Sequence, residues 1–305
     1  MKRQIMVLFM GLALFSSCYD AMNEVPLERM PPEIAFKDSL KVEMFVNELY
    51  VGLNTGIGGY NSFGGGSANQ NSFFDCVTDL GVLSPRGTNT AINSFIRATF
   101  HSGAGGNTDS RWAQVYQYMR KTNVVLEYIH YCDKLSEAKM AQYIGEAKLH
   151  KALLHYEMLK RYGGITIMDD LFEGGNIELP RNTFEECVEY IVRLCEEAAG
   201  GLPLRYPDND YGRLTKGAAL GLKAKVLLYA ASPLFNEKPL EAGNELIGYP
   251  SYDSGRWNLA AQAAKDLIDQ YGPKGKGTLN LAQDYRNIFI NFYLKLERII
   301  FILYY

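Results

Sequence analysis

Apolar residues recur through most of this chain at helical spacing. The best-marked stretch runs from Thr183 to Ala198, where Phe184, Val188, Ile191, Cys195 and Ala198 form one stripe. Thr183 and Glu186 have the spacing of a capping box, Pro180 precedes them, and Leu202-Pro203 cannot continue the helix. A longer helix is predicted from Glu137 to Tyr162, with Ile144, Ala147, Leu154 and Met158 on one side and Gly163-Gly164 as its stop. From Arg111, the residues Trp112, Val115, Met119, Leu126 and Ile129 keep the same period, with Tyr116 beside them. Thr215 to Ala231 is apolar nearly all round, with Lys216, Lys223 and Lys225 its only charges, which predicts a buried helix ended by Ser232-Pro233. Between Arg256 and Tyr271, Trp257, Ala260, Ala261, Ala264, Leu267, Ile268 and Tyr271 stand at offsets of 0, 3, 4, 7, 10, 11 and 14, an amphipathic pattern. A first helix is predicted from Ile34 to Leu53, with Phe36, Leu40, Met44 and Tyr50 among its apolar positions.

Helices of this length with short connections predict a mainly α fold, a stacked array of antiparallel helix pairs. Successive helix starts at Thr183, Thr215 and Arg256 lie 32 and 41 residues apart, so a regular 34-residue repeat is only a loose fit. One region departs from the pattern. Gly56 to Ser67 holds six glycines in twelve residues, and a polar stretch bearing aromatic residues continues to about Ser110. Long loops of this kind inside a compact fold are commonly functional.

The N-terminus carries a different signal. Met1-Lys2-Arg3 is followed by an apolar run from Ile5 to Phe15, then Ser16-Ser17 and Cys18, the order of a secretory signal peptide over residues 1–17. The run is too short to persist as a membrane span. Small residues directly before a cysteine are similar to the lipobox of bacterial lipoproteins, which makes Cys18 the expected lipid-attachment site. Residues 18–32, with Pro26, Pro31 and Pro32, read as a tether.

Composition narrows the chemistry. The net charge of −3 becomes more negative once Lys2 and Arg3 leave with the signal, so nucleic acid is excluded as an expected partner. Cys76, Cys132, Cys187 and Cys195 show no C-x-x-C spacing; a zinc site has no support, and their disulfide state stays open. The glycines of Gly56 to Gly66 lack the Lys-Ser or Lys-Thr and the leading strand of a phosphate loop, so no nucleotide cofactor is expected. His150 and His155 lie roughly 140° apart on a helix and cannot readily share a metal. Asp169-Asp170 follows a glycine turn, and adjacent carboxylates there point apart, unlike the opposed pair of a glycoside hydrolase. Glu185-Glu186 and Glu196-Glu197 suit a helix start and a solvated face. No G-x-S-x-G occurs, so the residues predict a binding protein rather than an enzyme.

Seven stretches in order carry a family resemblance. They are Trp112-Ala113-Gln114-Val115-Tyr116 with Arg120 and Asn123; Gly145-Glu146-Ala147-Lys148; Lys160-Arg161-Tyr162-Gly163-Gly164; Pro180-Arg181; Leu202-Pro203; Gly212-Arg213-Leu214-Thr215-Lys216-Gly217-Ala218-Ala219; and Tyr229-Ala230-Ala231-Ser232-Pro233-Leu234-Phe235-Asn236. Behind a lipobox, this order resembles the SusD/RagB-type nutrient-binding lipoproteins of Bacteroidetes outer membranes. The resemblance implies tetratricopeptide-like helix pairs, an α/α superhelix with long irregular loops, set on the cell surface. It also implies no catalysis and no cofactor, capture of an oligosaccharide or polysaccharide, and delivery to a SusC-like TonB-dependent transporter. The alternative is a helical scaffold that docks to the transporter without binding ligand. On this reading residues 33–240 form the N-terminal helical domain and 241–305 the start of a truncated C-terminal region. Trp112, Trp257 and the Gly212 to Phe235 stretch are then expected to be scaffold.

A sugar presents one apolar face and a rim of hydroxyls, so its site needs rings to stack on and planar polar groups to pair with the rim. The loop from Tyr60 to Arg111 has that composition. Its candidate ligand residues are Tyr60, Asn61, Phe63, Asn69, Phe73, Phe74, Asp75 and Arg86.

Overall fold

A computed structural model describes residues 30–53, 112–172, 178–238, 240–241 and 243–273. Among these residues there are eight α-helices and no strand: α1 Pro32–Ala35, α2 Ser39–Gly52, α3 Trp112–Tyr128, α4 Glu137–Tyr162, α5 Phe184–Gly201, α6 Lys216–Ala231, α7 Pro233–Asn236 and α8 Gly255–Tyr271. Each long helix packs on its successor, from α2 to α3, α4, α5, α6 and α8, the layout of a helix-pair array. Cys18, the eight candidate ligand residues, Cys76 and the chain beyond residue 273 lie outside the described residues.

Helix boundaries follow local chemistry. The Thr183 hydroxyl accepts from the Glu186 amide at 3.2 Å while the Glu186 carboxylate accepts from the Thr183 amide at 2.8 Å, completing the predicted capping box of α5. The Ser136 and Thr215 hydroxyls accept the Lys139 and Ala218 amides and cap α4 and α6. The predicted first helix is instead divided. Pro32, at the first helical position, starts α1 inside the expected tether, and the Asp38 side chain accepts the Leu40 amide to start α2 afresh.

The core has two parts joined by α4. Its N-terminal half contributes Tyr143 and Ala147 to a cluster with Phe36, Val42, Val46, Leu49, Val125 and Ile129. Its C-terminal half, with Leu154, Met158 and Leu159, enters a larger cluster with α5 and α6. Within α6, only Leu228 is exposed, as its all-round apolar sequence predicts. Cys132, Cys187 and Cys195 are free and buried, so none of the three is disulfide-bonded.

Two expectations about packing fail. On α8 the buried residues are Ala260, Ala263 and Tyr271, whereas Trp257 is 40% exposed and Ile268 63%. The helix has turned so that one edge of its apolar stripe meets α6 and the other faces outward. Trp112, expected in the scaffold interior, is 37% exposed.

Three backbone segments converge where α4 ends. Gly163 takes φ +70°, and a Cβ there would lie 2.2 Å from the Leu246 carbonyl oxygen; a Cβ on Gly164 would lie 2.1 Å from that of Asn182. Only glycine admits this approach. The Gly164 amide donates to Leu246 O and the Phe184 amide to Glu245 O, which pins the 244–247 turn onto the start of α5. Asn236, at the end of α7, accepts the Asp253 amide, donates to the Asp253 carbonyl and holds Arg256 at 2.7 Å, which fixes the entry to α8.

Candidate functional site

The described residues define both stems of the candidate ligand loop. It leaves after α2 and returns at α3, and these helices touch at its base: a Cβ on Gly52 would lie 2.5 Å from Tyr118 Cδ1. Lys121 braces the same place, 2.7 Å from Glu48 and 4.4 Å from the centre of the Tyr118 ring. The two helices that flank residues 54–111 in the sequence are therefore packed against each other.

At the returning stem an aromatic cluster reaches the surface. The Trp112 ring centre is 5.1 Å from both Tyr116 and Tyr162, tilted to the first and edge-on to the second. Tyr116 donates its hydroxyl to Thr166 O at 2.9 Å, and burial pushes its pKa up to about 12, so it remains a donor. The exposed Arg181 bends back onto the chain, donating from Nε to Gly164 O at 2.7 Å and from Nη2 to Tyr162 O.

From that cluster α3 acts as a ladder for the non-helical segment 165–172. Tyr116 bonds Thr166 O; Asn123 Nδ2 bonds Met168 O at 3.2 Å and Asp170 O at 3.1 Å; Arg120 bonds Phe172 O at 3.0 Å. Every second carbonyl thus faces α3, the period of an extended chain. The alternate groups face Asn182, whose amide bonds Ile165 O and whose side chain accepts from the Ile167 amide.

This segment carries Asp169, whose carboxylate accepts from Lys151 Nζ at 2.6 Å and from the Tyr190 hydroxyl at 2.7 Å. Burial opposes its charge, yet those two bonds prevail and hold its carboxyl below the ordinary range. Lys151 is 1% exposed on α4, and burial lowers the pKa of its ammonium against the pull of Asp169. An acid committed to a buried cation is ill suited to donating a proton to a leaving group. Nothing in the sequence pattern marked this trio, because its members are 18 and 21 residues apart.

A second polar hub joins α2, α4 and the 206–214 turn. Glu146, wholly buried, accepts from Tyr50 at 2.9 Å, Gln142 at 2.7 Å, Tyr206 at 3.2 Å and Arg213 at 3.0 Å. Arg213 reaches on to Asp210, Glu43 and Asn47. The Tyr50 hydroxyl, pushed far up by burial and then by Glu146, also accepts the Leu214 amide.

The family of SusD-like proteins described as starch-binding and associating with the outer membrane matches residues 27–228. The chain belongs to this SusD-like family. The SusD-like protein P25 of Formosa agariphila is 24% identical over 236 residues, covering 74% of this chain and 43% of its own length. The solved structure named BT4246 superposes with a TM-score of 0.62 at 25% identity, over 80% of this chain and 41% of that one. A structure described as a complex with xylogluco-oligosaccharide superposes with a TM-score of 0.50 at 25% identity, over 68% of this chain and 36% of that one. This chain therefore spans less than half the length of each of these three relatives.

The residues that mark the SusD-like sequence here are mostly structural fasteners. Tyr116, Arg120 and Asn123 hold the 165–172 segment, Glu146 meets Arg213, Gly163 and Gly164 admit two crossing backbones, and Asn236 brackets Asp253. Trp112 is the exception, a motif residue at the surface.

Proposed function

We propose that this chain is a non-catalytic, cell-surface glycan-binding lipoprotein, anchored to the outer membrane through Cys18, that delivers oligosaccharide or polysaccharide to a SusC-like TonB-dependent transporter. The observation that carries this reading is the SusD-like match over residues 27–228. A relative solved with a xylogluco-oligosaccharide favours glycans as the ligand class. The commitment of Asp169 to Lys151 and Tyr190 favours binding over hydrolysis. Tyr60, Asn61, Phe63, Asn69, Phe73, Phe74, Asp75 and Arg86, which lie between α2 and α3 in the sequence, are the proposed ligand contacts. Residues 1–17 serve as the export signal and 18–32 as the tether. A thioether-linked diacyl group buries two chains, and at about 0.8 kcal/mol per methylene that is firm anchoring.

Isothermal titration against starch-derived, xyloglucan and other oligosaccharides tests ligand binding; the expected result is saturable binding of at least one. Copurification of the transporter with no ligand binding would favour the docking-scaffold alternative instead. For the anchor, Cys18→Ala should move the protein out of the membrane fraction, and a processed variant that stays there would defeat the claim.

A further inference from the structure

The chain has two tryptophans, and both reach the surface in different company. Trp257 is in line with Ala261, Ala264 and Ile268 along α8, and no aromatic ring among the described residues stacks on it. Trp112 is held from two sides by Tyr116 and Tyr162 yet keeps 37% of its surface open. Arg181 lies at the same edge, fixed through Nε and Nη2, with Nη1 outside those two bonds.

An aromatic ring that is held before any ligand arrives, partly open among the described residues and bordered by the Arg181 guanidinium, matches the two-sided chemistry of a pyranose. The ring covers the apolar face, and the planar donors meet the hydroxyl rim. Little ordering cost remains, because Tyr116 is tied to Thr166 and Arg181 to two carbonyls. We infer that Trp112, braced by Tyr116 and Tyr162 and flanked by Arg181, is a sugar-stacking subsite at the returning stem of the α2–α3 insertion. The inference rests on the glycan-binding reading and adds to it a named platform among residues that otherwise serve as scaffold.

The two tryptophans make the test direct. In Trp257→Phe, Trp112 is the sole tryptophan and is itself unaltered; in Trp112→Phe, Trp257 reports alone. Each full-length variant is titrated with starch-derived and xyloglucan oligosaccharides, by fluorescence and by calorimetry in parallel. The expected result is a saturable change of Trp112 emission that tracks the calorimetric isotherm, no change from Trp257, and about tenfold weaker binding by Trp112→Ala. Arg181→Gln should also weaken binding while circular dichroism stays unchanged. Oligosaccharide heats without a Trp112 response, together with unchanged affinity in Trp112→Ala, would overturn the subsite and leave the glycan reading standing. If no oligosaccharide gives heats with the unaltered protein, the glycan reading fails and the subsite with it.

Discussion

The Glu146 carboxylate and the Arg213 guanidinium lie 3.0 Å apart, with Glu146 wholly buried and Arg213 10% exposed. Burying two charges is costly, and removing one partner leaves the other uncompensated. Arg213→Ala leaves Glu146 with only the neutral donors Tyr50, Gln142 and Tyr206. It should cost about 3–5 kcal/mol of stability. Glu146→Gln should cost less, because Arg213 keeps Asp210 and Glu43. Urea unfolding of both variants checks the order, and a smaller loss for Arg213→Ala than for Glu146→Gln would refute it.

Acid should weaken the fold before the carboxylates titrate. Burial lowers His150 to about 3 and His155 to about 4, and neither ring nitrogen of His150 has a hydrogen-bond partner among the described residues. The unfolded chain binds these protons near pH 6.5, so below that the native state holds fewer protons and stability falls with pH until about 4 and then 3. Each imidazole adds a slope of up to about 1.4 kcal/mol per pH unit. His150→Leu removes one slope and an unsatisfied buried group, so it should also be about 1 kcal/mol more stable at pH 7. Urea midpoints between pH 7.5 and 4.5 decide this; a variant as steep as the parent would count against it.

Gly164→Ala should be among the most damaging single-methyl changes available. The added Cβ would meet the Asn182 carbonyl oxygen at 2.1 Å, and backbone rather than a flexible side chain would have to move. A loss of about 2–4 kcal/mol is expected, with faster proteolysis in the 244–247 turn that Gly164 anchors. Gly200→Ala, where nothing lies within 4 Å, serves as the control and should be neutral or slightly stabilising.

Local rules made much of this fold readable. The Thr183–Glu186 box and the Gly163-Gly164 stop are decided within a few residues, so α4 and α5 lie where periodicity puts them. Orientation is a tertiary matter: the α8 sequence says which side chains share a face, while α6 selects which part of that face is covered. Trp112 fits a core period, yet it stays 37% exposed against Tyr116 and Tyr162, because period alone does not say which neighbours cover a face. The loop residues Tyr60 to Arg86 stand out by composition, which names suitable groups without placing them. The Lys151–Asp169–Tyr190 trio is invisible in the sequence because ion pairing between elements leaves no periodic trace.

That trio supports an asymmetric prediction. Lys151 is 1% exposed and Asp169 53%, so the two ends of one 2.6 Å bond are solvated very differently. Asp169→Ala leaves a buried ammonium with the Tyr190 ring, 5.7 Å away, and the weaker pull of the Asp170 carboxylate. Lys151→Met removes the buried charge and leaves a carboxylate that water can reach. The aspartate change should therefore cost about 3 kcal/mol and the lysine change less than about half of that, the reverse of what side-chain size suggests. A pH signature separates this from lost packing. Without Asp169, the already lowered Lys151 pKa falls further. Between that value and 10.5 the native state then binds fewer protons than the unfolded chain, and stability rises with pH. Asp169→Ala should accordingly recover part of its loss between pH 7 and 9.5 relative to the parent protein. Urea unfolding across that range gives the answer, and parallel pH profiles for the two proteins would mean that Lys151 stays charged without its partner.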